Sequence, residues 1–262
     1  MYGWERQLEE YDSLLEQFIQ RLKNAEGELR FDRPAIRASD IAEQYFCEKK
    51  VEMQYLHGQI ETETKNLGTE AHEKLLEGSE EVTRQNLWKK IYQKKPIFAL
   101  ELLLLAKYKD LVLAGRPDCI LFENGFPLII FEYKFSRSQR DYLSYHVQAR
   151  TYGILLKNMG FDISKLFYAI VVADRRAKDD DQFETRVVDA ILKKELKETV
   201  LTTENAVIYL KKFNPEEAEL SLDWAIEFWK SQREAIPTTN PNKCRTCEYN
   251  EECKPSIFDE LV

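Results

Sequence analysis

Residues 115–134 read GRPDCILFENGFPLIIFEYK, and this stretch decides the fold. Its β-forming runs, ILF and PLIIF, flank the dipeptide Asn-Gly at 124–125, which strongly predicts the turn of a β-hairpin. Asp118 lies on the first arm of this hairpin, and Glu132 and Lys134 lie on the second. Because side chains alternate along a strand, Glu132 and Lys134 share one face.

The register of the hairpin decides whether Asp118 joins that face. It does so if the numbers of paired residues sum to an even value, which requires a loop of three or five residues around Asn124-Gly125. A two-residue loop would place Asp118 on the opposite face. A three-residue loop with Gly125 in the left-handed conformation would put Asp118 diagonally across from Glu132.

Two carboxylates on one face of a hairpin are the ligands that Mg²⁺ or Mn²⁺ prefers. A cation held there polarises a phosphodiester and lowers the pKa of a bound water, and an adjacent lysine can orient that water. The alternative is a surface hairpin with ordinary charges. The apolar flanks instead indicate a buried hairpin, where an acid and a lysine are costly without a function.

The rest of the chain predicts a mixed α/β protein. Apolar residues at helical spacing predict a first helix of about 20 residues from Trp4. Further helices are predicted from a Ser39 cap onward, over 62–76, from Ser138 to Lys157 and after Asn214. β-rich segments predict three strands within 96–135 and two more from Leu166 and Ala206. This pattern divides the chain into a helical region (1–95), an α/β core (96–213) and a C-terminal helix with a cysteine tail (214–262).

Five cysteines are distributed unevenly. Cys244, Cys247 and Cys253 form a close cluster that supplies three thiolates, too few for a closed four-thiolate site. Cys47 is the plausible fourth ligand, because Cys119 adjoins Asp118 on the hairpin and is expected to face the core. Four thiolates suit either zinc or an iron–sulfur cluster.

Composition limits the class of protein. The net charge of −8 does not by itself suggest a nucleic-acid binder, but residues 84–95 hold five basic residues and no acid. The few glycines and prolines argue against a disordered or collagen-like chain. The longest apolar runs are too short for a membrane span, and the first residues lack the pattern of a secretory signal. We therefore expect a soluble, cytoplasmic protein without a membrane partner.

The hairpin motifs resemble those of the PD-(D/E)xK nucleases, in particular the RecB-like branch. Pro117-Asp118, the fourteen-residue step to Glu132 and the following Lys134 carry this resemblance. His72 resembles the helical histidine of that branch, and Gln148-Ala-Arg-Thr-Tyr152 resembles its Q-x-x-x-Y helix. With one early and three late cysteines, the combination over 39–254 is most similar to the fourth family of CRISPR-associated (Cas) proteins.

The resemblance implies a restriction-endonuclease-like, RecB-like core with a central mixed sheet flanked by helices and an iron–sulfur region. It also implies a role for each matched residue. His72, Asp118, Glu132 and the Tyr133 carbonyl would bind the catalytic Mn²⁺ or Mg²⁺, and Lys134 would orient the attacking water. Gln148 and Tyr152 would support the site and touch DNA. The arrangement of three cysteines plus one favours a 4Fe–4S cluster over zinc on Cys47, Cys244, Cys247 and Cys253.

The expected function is a metal-dependent DNA exonuclease that acts on single strands, with 5′ to 3′ polarity favoured, and processes DNA for CRISPR spacer acquisition with the Cas integrase. The basic residues expected to guide the strand are Lys89, Lys90, Lys94, Arg137 and Arg140. Two alternatives stay open: a recombination or repair nuclease outside CRISPR, and an idle iron–sulfur protein that binds DNA or a partner. Glu101, in an otherwise apolar strand, is a possible additional acid near the site.

Overall fold

The computed structural model describes residues 3–24, 27–58, 82–136, 138–193 and 195–253. The α-helices of these residues are α1 (Gly3–Lys23), α2 (Ala38–Phe46), α3 (Glu48–His57), α4 (Arg84–Ile91), α5 (Leu143–Asn158), α6 (Phe183–Leu192), α7 (Pro215–Trp229) and α8 (Pro241–Arg245). The strands are β1 (Ile36–Arg37), β2 (Ile97–Leu100), β3 (Leu104–Tyr108), β4 (Leu111–Gly115), β5 (Cys119–Glu123), β6 (Phe126–Phe135), β7 (Phe167–Ala173), β8 (Thr199–Thr202) and β9 (Ala206–Lys212). Short 3₁₀ turns occupy Arg30–Asp32 and Arg175–Asp179.

Two sheets organise the fold. The larger has six strands in the order β2-β5-β6-β7-β9-β8. Strands β6 and β7 pair in parallel, and the other four neighbouring pairs of this sheet are antiparallel. The smaller has the order β1-β4-β3, with β1 parallel to β4. The architecture is therefore the predicted mixed α/β type, with helices packed on mixed sheets.

The six-stranded sheet separates two apolar cores. One face packs with α1, α2, α4, α5, α7 and the smaller sheet, and it includes Ile130 and Tyr168. The other face packs with α6 and includes Phe131, Tyr133 and Cys119. Glu132 and Lys134 alternate with Phe131 and Tyr133, so their side chains leave the sheet on the α5 side.

The hairpin corrects the predicted loop length. Its turn is the two-residue Asn124-Gly125, with both φ angles positive (51° and 83°), and Glu123 pairs with Phe126. A register shift beyond Phe122 leaves Leu128 as an extra residue, so that Cys119 pairs with Phe131. This β-bulge restores the even register that a two-residue turn alone would lose. Asp118 consequently stands opposite Glu132 on the same face.

The strands predicted in 96–135 are more divided than expected. The run PIFALELLLLAKY splits into β2 and β3 at Glu101, which has a left-handed φ of 43°. The segment KDLVLAGRPDCILF splits into β4 and β5 at Arg116–Asp118. Helix α6 and strand β8 were not predicted at all, because their short amphipathic patterns lack strong start signals.

Two helix starts were also predicted wrongly. Ser39 does not cap α2, because the helix begins at Ala38 and the Asp40 carboxylate accepts the Arg37 N–H (3.4 Å). The expected continuous helix breaks at Cys47, whose backbone is extended. Helix α5 begins at Leu143 rather than at Ser138. The described residues between β6 and α5, residue 136 and residues 138–142, belong to no helix or strand, and we call this segment the β6–α5 loop.

Parts of the sequence predictions lie outside the described residues. These are His72, with its predicted helix over 62–76, and Arg137. In the part of the chain that the structure describes, no helix is long and apolar enough to cross a membrane.

Candidate active site

The hairpin brings the two predicted carboxylates together. The Asp118 Oδ2 atom accepts a hydrogen bond from the Tyr133 backbone N–H at 2.6 Å. Glu132 is 2% exposed, and its Oε1 lies 2.7 Å from Lys134 Nζ. Asp118, Glu132 and Lys134 thus form one cluster at the open end of the hairpin, away from its turn.

Burial controls the protonation of this cluster. Desolvation raises the pKa of the Asp118 carboxyl to about 6, against the opposing effects of Lys134 and the Tyr133 N–H, and Glu101 and Glu184 raise it further. Such a raised carboxyl pKa is typical of a site built to receive a cation, which would replace the proton.

Lys134 stays charged in this environment. Burial alone would lower the pKa of the Lys134 ammonium, but the Glu132 and Asp118 carboxylates outweigh that effect and raise it. The ammonium also donates to Gln148 Oε1 at 3.1 Å. A half-buried cation that is held by an acid and an amide has a fixed position, which suits it to orient a reactant.

Helix α5 contributes the predicted Gln148 and Tyr152 to the same cluster. Gln148 Nε2 donates to the Tyr152 hydroxyl at 2.8 Å, and that hydroxyl donates to the Arg116 carbonyl at 3.3 Å. Because both ends of the Gln148 amide are engaged, its orientation is defined by the network. Burial raises the pKa of the Tyr152 phenol, so the hydroxyl remains protonated at neutral pH.

Glu101 lies at the edge of the cluster. Its backbone N–H donates to the Asp118 carbonyl at 3.1 Å, and its carboxylate lies 3.7 Å from an Arg116 guanidinium nitrogen. Its left-handed backbone is a strained conformation for a residue with a side chain. The sequence indicated Glu101 only as a possible additional acid, since a single acid in an apolar run has no spacing that points to a site.

The donor set of the hairpin fits a hard divalent cation. Asp118, directly before β5, and Glu132, in β6, supply carboxylate oxygens, which are the ligands that Mg²⁺ and Mn²⁺ prefer. In the described residues, no group of three or more His, Cys, Asp and Glu side chains is assembled as a metal site. The predicted third side-chain ligand of this centre, His72, lies outside those residues.

Four of the five cysteines surround one small cavity, lined by residues from both ends of the chain. Cys47 lies at the break between α2 and α3. Residues 235–240, which we call the strap, lead into α8; Cys244 lies in that helix, and Cys247 and Cys253 follow it. The Thr238 N–H lies 3.4 Å from the Cys47 Sγ. The pKa of the Cys253 thiol is raised by burial and by the three neighbouring cysteines. The thiols are thus brought to one place, although they do not close into a coordination shell among the described residues.

Cys119 behaves as predicted. It is 5% exposed and packs in the core on the α6 side of the sheet.

The basic residues fall in two places. Lys89 and Lys90 lie in α4, and Lys94 follows that helix. The residues after α4 are hydrogen-bonded to the hairpin turn, where the Asn124 N–H donates to the Gln93 carbonyl at 3.1 Å. Strand β5 separates that turn from Asp118 by five residues, or about 16 Å. Arg140 instead lies in the exposed part of the β6–α5 loop, close in sequence to Lys134.

Sequence reasoning missed two contacts beside the site. The Tyr145 ring centre lies 5.4 Å from Lys134 Nζ, and a cation over an aromatic face is attracted to it. His146, which matched no motif, is buried and contacts Asp141 at 2.5 Å and the Tyr168 hydroxyl at 3.1 Å. Tyr142 and Tyr145 are three residues apart, a spacing that is compatible with a plain amphipathic helix, so no local signal distinguished these roles.

The fold and the site define a class of protein: a mixed α/β sheet that carries an acid, an acid-x-lysine pair and a supporting helix, the arrangement of a metal-dependent nuclease. The sequence profile of the PD-(D/E)XK nuclease superfamily matches residues 9–254. The chain belongs to the PD-(D/E)XK nuclease superfamily.

Other comparisons add little. No curated protein matches the chain. A solved structure described as "Crystal structure of SSO0001" is similar over 86% of this chain and 87% of its own, with 15% identity and a TM-score of 0.48. At that level the similarity carries no weight for function.

Proposed function

We propose that this protein is a metal-dependent DNA exonuclease that degrades single strands, with 5′ to 3′ polarity favoured. One observation supports the chemistry above all: Lys134 Nζ lies 2.7 Å from the Glu132 carboxylate and 3.1 Å from Gln148, in the same cluster as Asp118. Superfamily membership makes hydrolysis of a phosphodiester the expected reaction.

Each residue of the cluster has a task in this proposal. Asp118, Glu132 and the Tyr133 carbonyl would hold Mg²⁺ or Mn²⁺, with His72 as the further ligand that the resemblance implies. When bound, the ion polarises the phosphodiester and makes its bound water more acidic. Lys134 orients the attacking water and stabilises the negative charge that develops on the phosphate. Gln148 holds Lys134, and Tyr152 holds Gln148, so the helix keeps the lysine aimed at the reacting group.

The test is cleavage of single-stranded DNA labelled separately at each end, in Mn²⁺, Mg²⁺ or EDTA. Glu132→Gln removes a charge with little change of shape, and Lys134→Met keeps most of the apolar stem. We expect both variants to lose at least 100-fold in rate, in line with the loss of a transition-state contact. The two labels report the polarity.

Glu123→Gln is the matched control for this test, since Glu123 is exposed on β5 at the turn end of the same hairpin. It should cleave like the wild type. Absence of cleavage by pure wild-type protein on single strands, duplexes and flaps would contradict the proposal and favour the idle scaffold.

We further propose that Cys47, Cys244, Cys247 and Cys253 bind a 4Fe–4S cluster. The shared cavity supports this assignment, because Cys47 lines it together with three cysteines that lie 197 or more residues later in the sequence. When bound, the cluster would tie the strap to α3 and couple its own assembly to folding. Zinc is the alternative occupant.

Cys47→Ala tests the cluster against Cys119→Ala, which removes a thiol that does not line the cavity. After anaerobic purification, we expect the first variant to lose bound iron and solubility and the second to keep its iron. Full retention of iron by Cys47→Ala would exclude Cys47, and stoichiometric zinc in place of iron and sulfide would favour the alternative.

The CRISPR context is the part of the proposal that rests on sequence resemblance alone. We propose that the nuclease trims DNA before its integration as a spacer, in contact with the Cas integrase. Mixing the purified proteins and measuring co-elution and trimming of a prespacer tests this directly. Wild-type trimming without any effect of the integrase would favour a repair or recombination nuclease outside CRISPR.

A further inference from the structure

An exposed apolar pair lies beside the catalytic cluster. Tyr142 is 43% exposed and Leu143 is 57% exposed, at the junction of the β6–α5 loop and α5. Neither belongs to the two cores of the sheet. Arg140, also exposed, lies two residues before Tyr142. An exposed ring next to a basic side chain is the combination with which proteins hold single strands.

Ring contacts connect this pair to Lys134. The Tyr142 and Tyr145 rings meet edge to face, with centroids 5.3 Å apart, and the Tyr145 centroid lies 5.4 Å from Lys134 Nζ. Tyr142 is therefore at most about 11 Å from the lysine. That distance corresponds to roughly two or three nucleotides of a stacked strand.

Two hydrogen bonds to β9 and the residue before it hold the loop that carries Tyr142. Tyr209 donates to the Gln139 carbonyl at 3.2 Å, and Gln139 Nε2 donates to the Asn205 carbonyl at 3.4 Å. Gln139 has a left-handed φ of 44°, a conformation that persists where surrounding contacts require it. A surface that is already ordered loses little entropy when a ligand binds.

The acid in this loop is turned toward the protein. The Asp141 carboxylate lies 2.5 Å from His146 Nε2, and His146 Nδ1 lies 3.1 Å from the Tyr168 hydroxyl. This contact ties the loop to α5 and to β7.

We propose that Tyr142, with Leu143 beside it, is a stacking platform for a nucleobase two or three nucleotides from the phosphate that is cleaved. This inference rests on the proposed nuclease function and deepens it by naming the residues that hold an unpaired base of the strand. A base in a duplex is already stacked and cannot lie on the ring, so the platform selects single strands.

The test uses Tyr142→Ala and Tyr142→Trp, with Phe98→Ala as the matched control. Phe98 is also 43% exposed, but it contacts Phe131 and so belongs to the other face of the sheet. The substrates are a labelled single strand and the same strand with an abasic site placed at each position near the cut. We expect Tyr142→Ala to lower kcat/KM on the intact strand by roughly 5- to 100-fold, and Tyr142→Trp and Phe98→Ala to retain wild-type values.

The abasic series separates stacking from simple damage. At one position, loss of the base should lower the wild-type kcat/KM about as much as Tyr142→Ala does, and it should cost Tyr142→Ala nothing further. Equal loss by Tyr142→Ala on every substrate, or no loss at all, would overturn the platform.

A binding measurement keeps this result distinct from failure of the nuclease proposal. Strands with single 2-aminopurine residues are titrated with Glu132→Gln, alone and combined with Tyr142→Ala, and fluorescence quenching is read in EDTA. Quenching at one position that disappears with Tyr142→Ala supports the platform even if the wild type cleaves nothing. Binding without position-dependent quenching would overturn it even if the wild type is an active nuclease.

Discussion

At the scale of single residues, burial of the Asp118 carboxylate destabilises the fold but places this group in the catalytic cluster. Its carboxylate accepts the Tyr133 N–H at 2.6 Å, but burial raises its pKa to about 6 from 3.8. In the metal-free protein, the folded state therefore holds the proton more tightly than the unfolded chain does. As the pH rises from 4 to 6, this carboxyl lowers the free energy of unfolding, and the loss persists above pH 6.

Asp118→Asn should accordingly stabilise the metal-free protein at pH 7.5 while abolishing cleavage. A shift of about two pKa units corresponds to roughly 3 kcal/mol, so we expect a gain of about 1–3 kcal/mol in urea unfolding with EDTA present. The gain should shrink toward pH 4, where the wild-type carboxyl is protonated in both states. Added Mn²⁺ should stabilise the wild type and leave the variant unchanged.

Asp110→Asn is the control for this effect. Asp110 is exposed and paired with Lys230, and the hydrogen bond from that lysine lowers its pKa. Its replacement should not stabilise the protein at any pH. Equal gains from both aspartate variants would mean that net charge, rather than burial of Asp118, controls the result.

At the scale of elements, the packing of α5 on β4 positions the supporting residues of the site. A Cβ atom on Gly115 would lie 2.7 Å from Tyr152 Cε1, closer than real Cβ contacts reach, and 3.1 Å from Leu155 Cδ1, which is tighter than most. The glycine is thus needed for the approach of the helix, and not for an unusual backbone angle. Tyr152 in turn anchors Gln148, which holds Lys134.

Gly115→Ala should therefore lower both stability and cleavage. Overpacking of this kind costs about 1–3 kcal/mol, and displacement of Tyr152 should lower kcat by about tenfold or more with little change in KM. The measurements are thermal unfolding and cleavage kinetics, with Gly3→Ala as a control because a Cβ there meets nothing within 4 Å. Tyr152→Phe, which keeps the ring, should lower kcat without the loss in stability. Full activity in Gly115→Ala would show that α5 can shift without moving Lys134.

At the scale of the whole molecule, a buried ion pair ties the end of the chain to its beginning. Glu48, 1% exposed and directly after Cys47, accepts Arg233 Nη2 at 2.7 Å and the Ile236 N–H at 2.8 Å. Gln44 donates to the same carboxylate at 2.9 Å. This network holds the strap that leads to Cys244. It thereby helps to bring Cys244 to the cavity that Cys47 also lines.

Arg233→Met should loosen that strap. It leaves a buried carboxylate without its cation, which costs about 3–5 kcal/mol, and it should speed the labelling of Cys47 and Cys244 by a thiol reagent under native conditions. Peptide mass spectrometry after timed labelling measures each thiol separately. Adding Glu48→Gln should recover part of the stability, since no buried charge then remains.

Arg6→Met is the control at this scale, because the Arg6–Glu10 pair is exposed and such pairs contribute less than about 1 kcal/mol. Unchanged labelling in Arg233→Met would show that the strap is held by other contacts, such as the bonds from Lys243 to the Tyr45 and Phe46 carbonyls.

The sequence by itself determined the parts of this protein that depend on neighbouring residues. Alternation placed Glu132 and Lys134 on one face, the Asn-Gly dipeptide marked the turn, and a spacing of four placed Gln148 and Tyr152 on one side of a helix. These features follow from backbone geometry over a few residues, so short patterns encode them.

Only the tertiary structure decided how those parts meet. The bulge at Leu128 brings Asp118 opposite Glu132 although the turn has two residues, the approach of α5 at Gly115 brings Gln148 to Lys134, and the ring of Tyr142 is left exposed beside them. Cys47, at the break between α2 and α3, likewise shares a cavity with three cysteines from the C-terminal part of the chain. Each of these depends on packing between residues distant in sequence, whose free energies no local pattern contains.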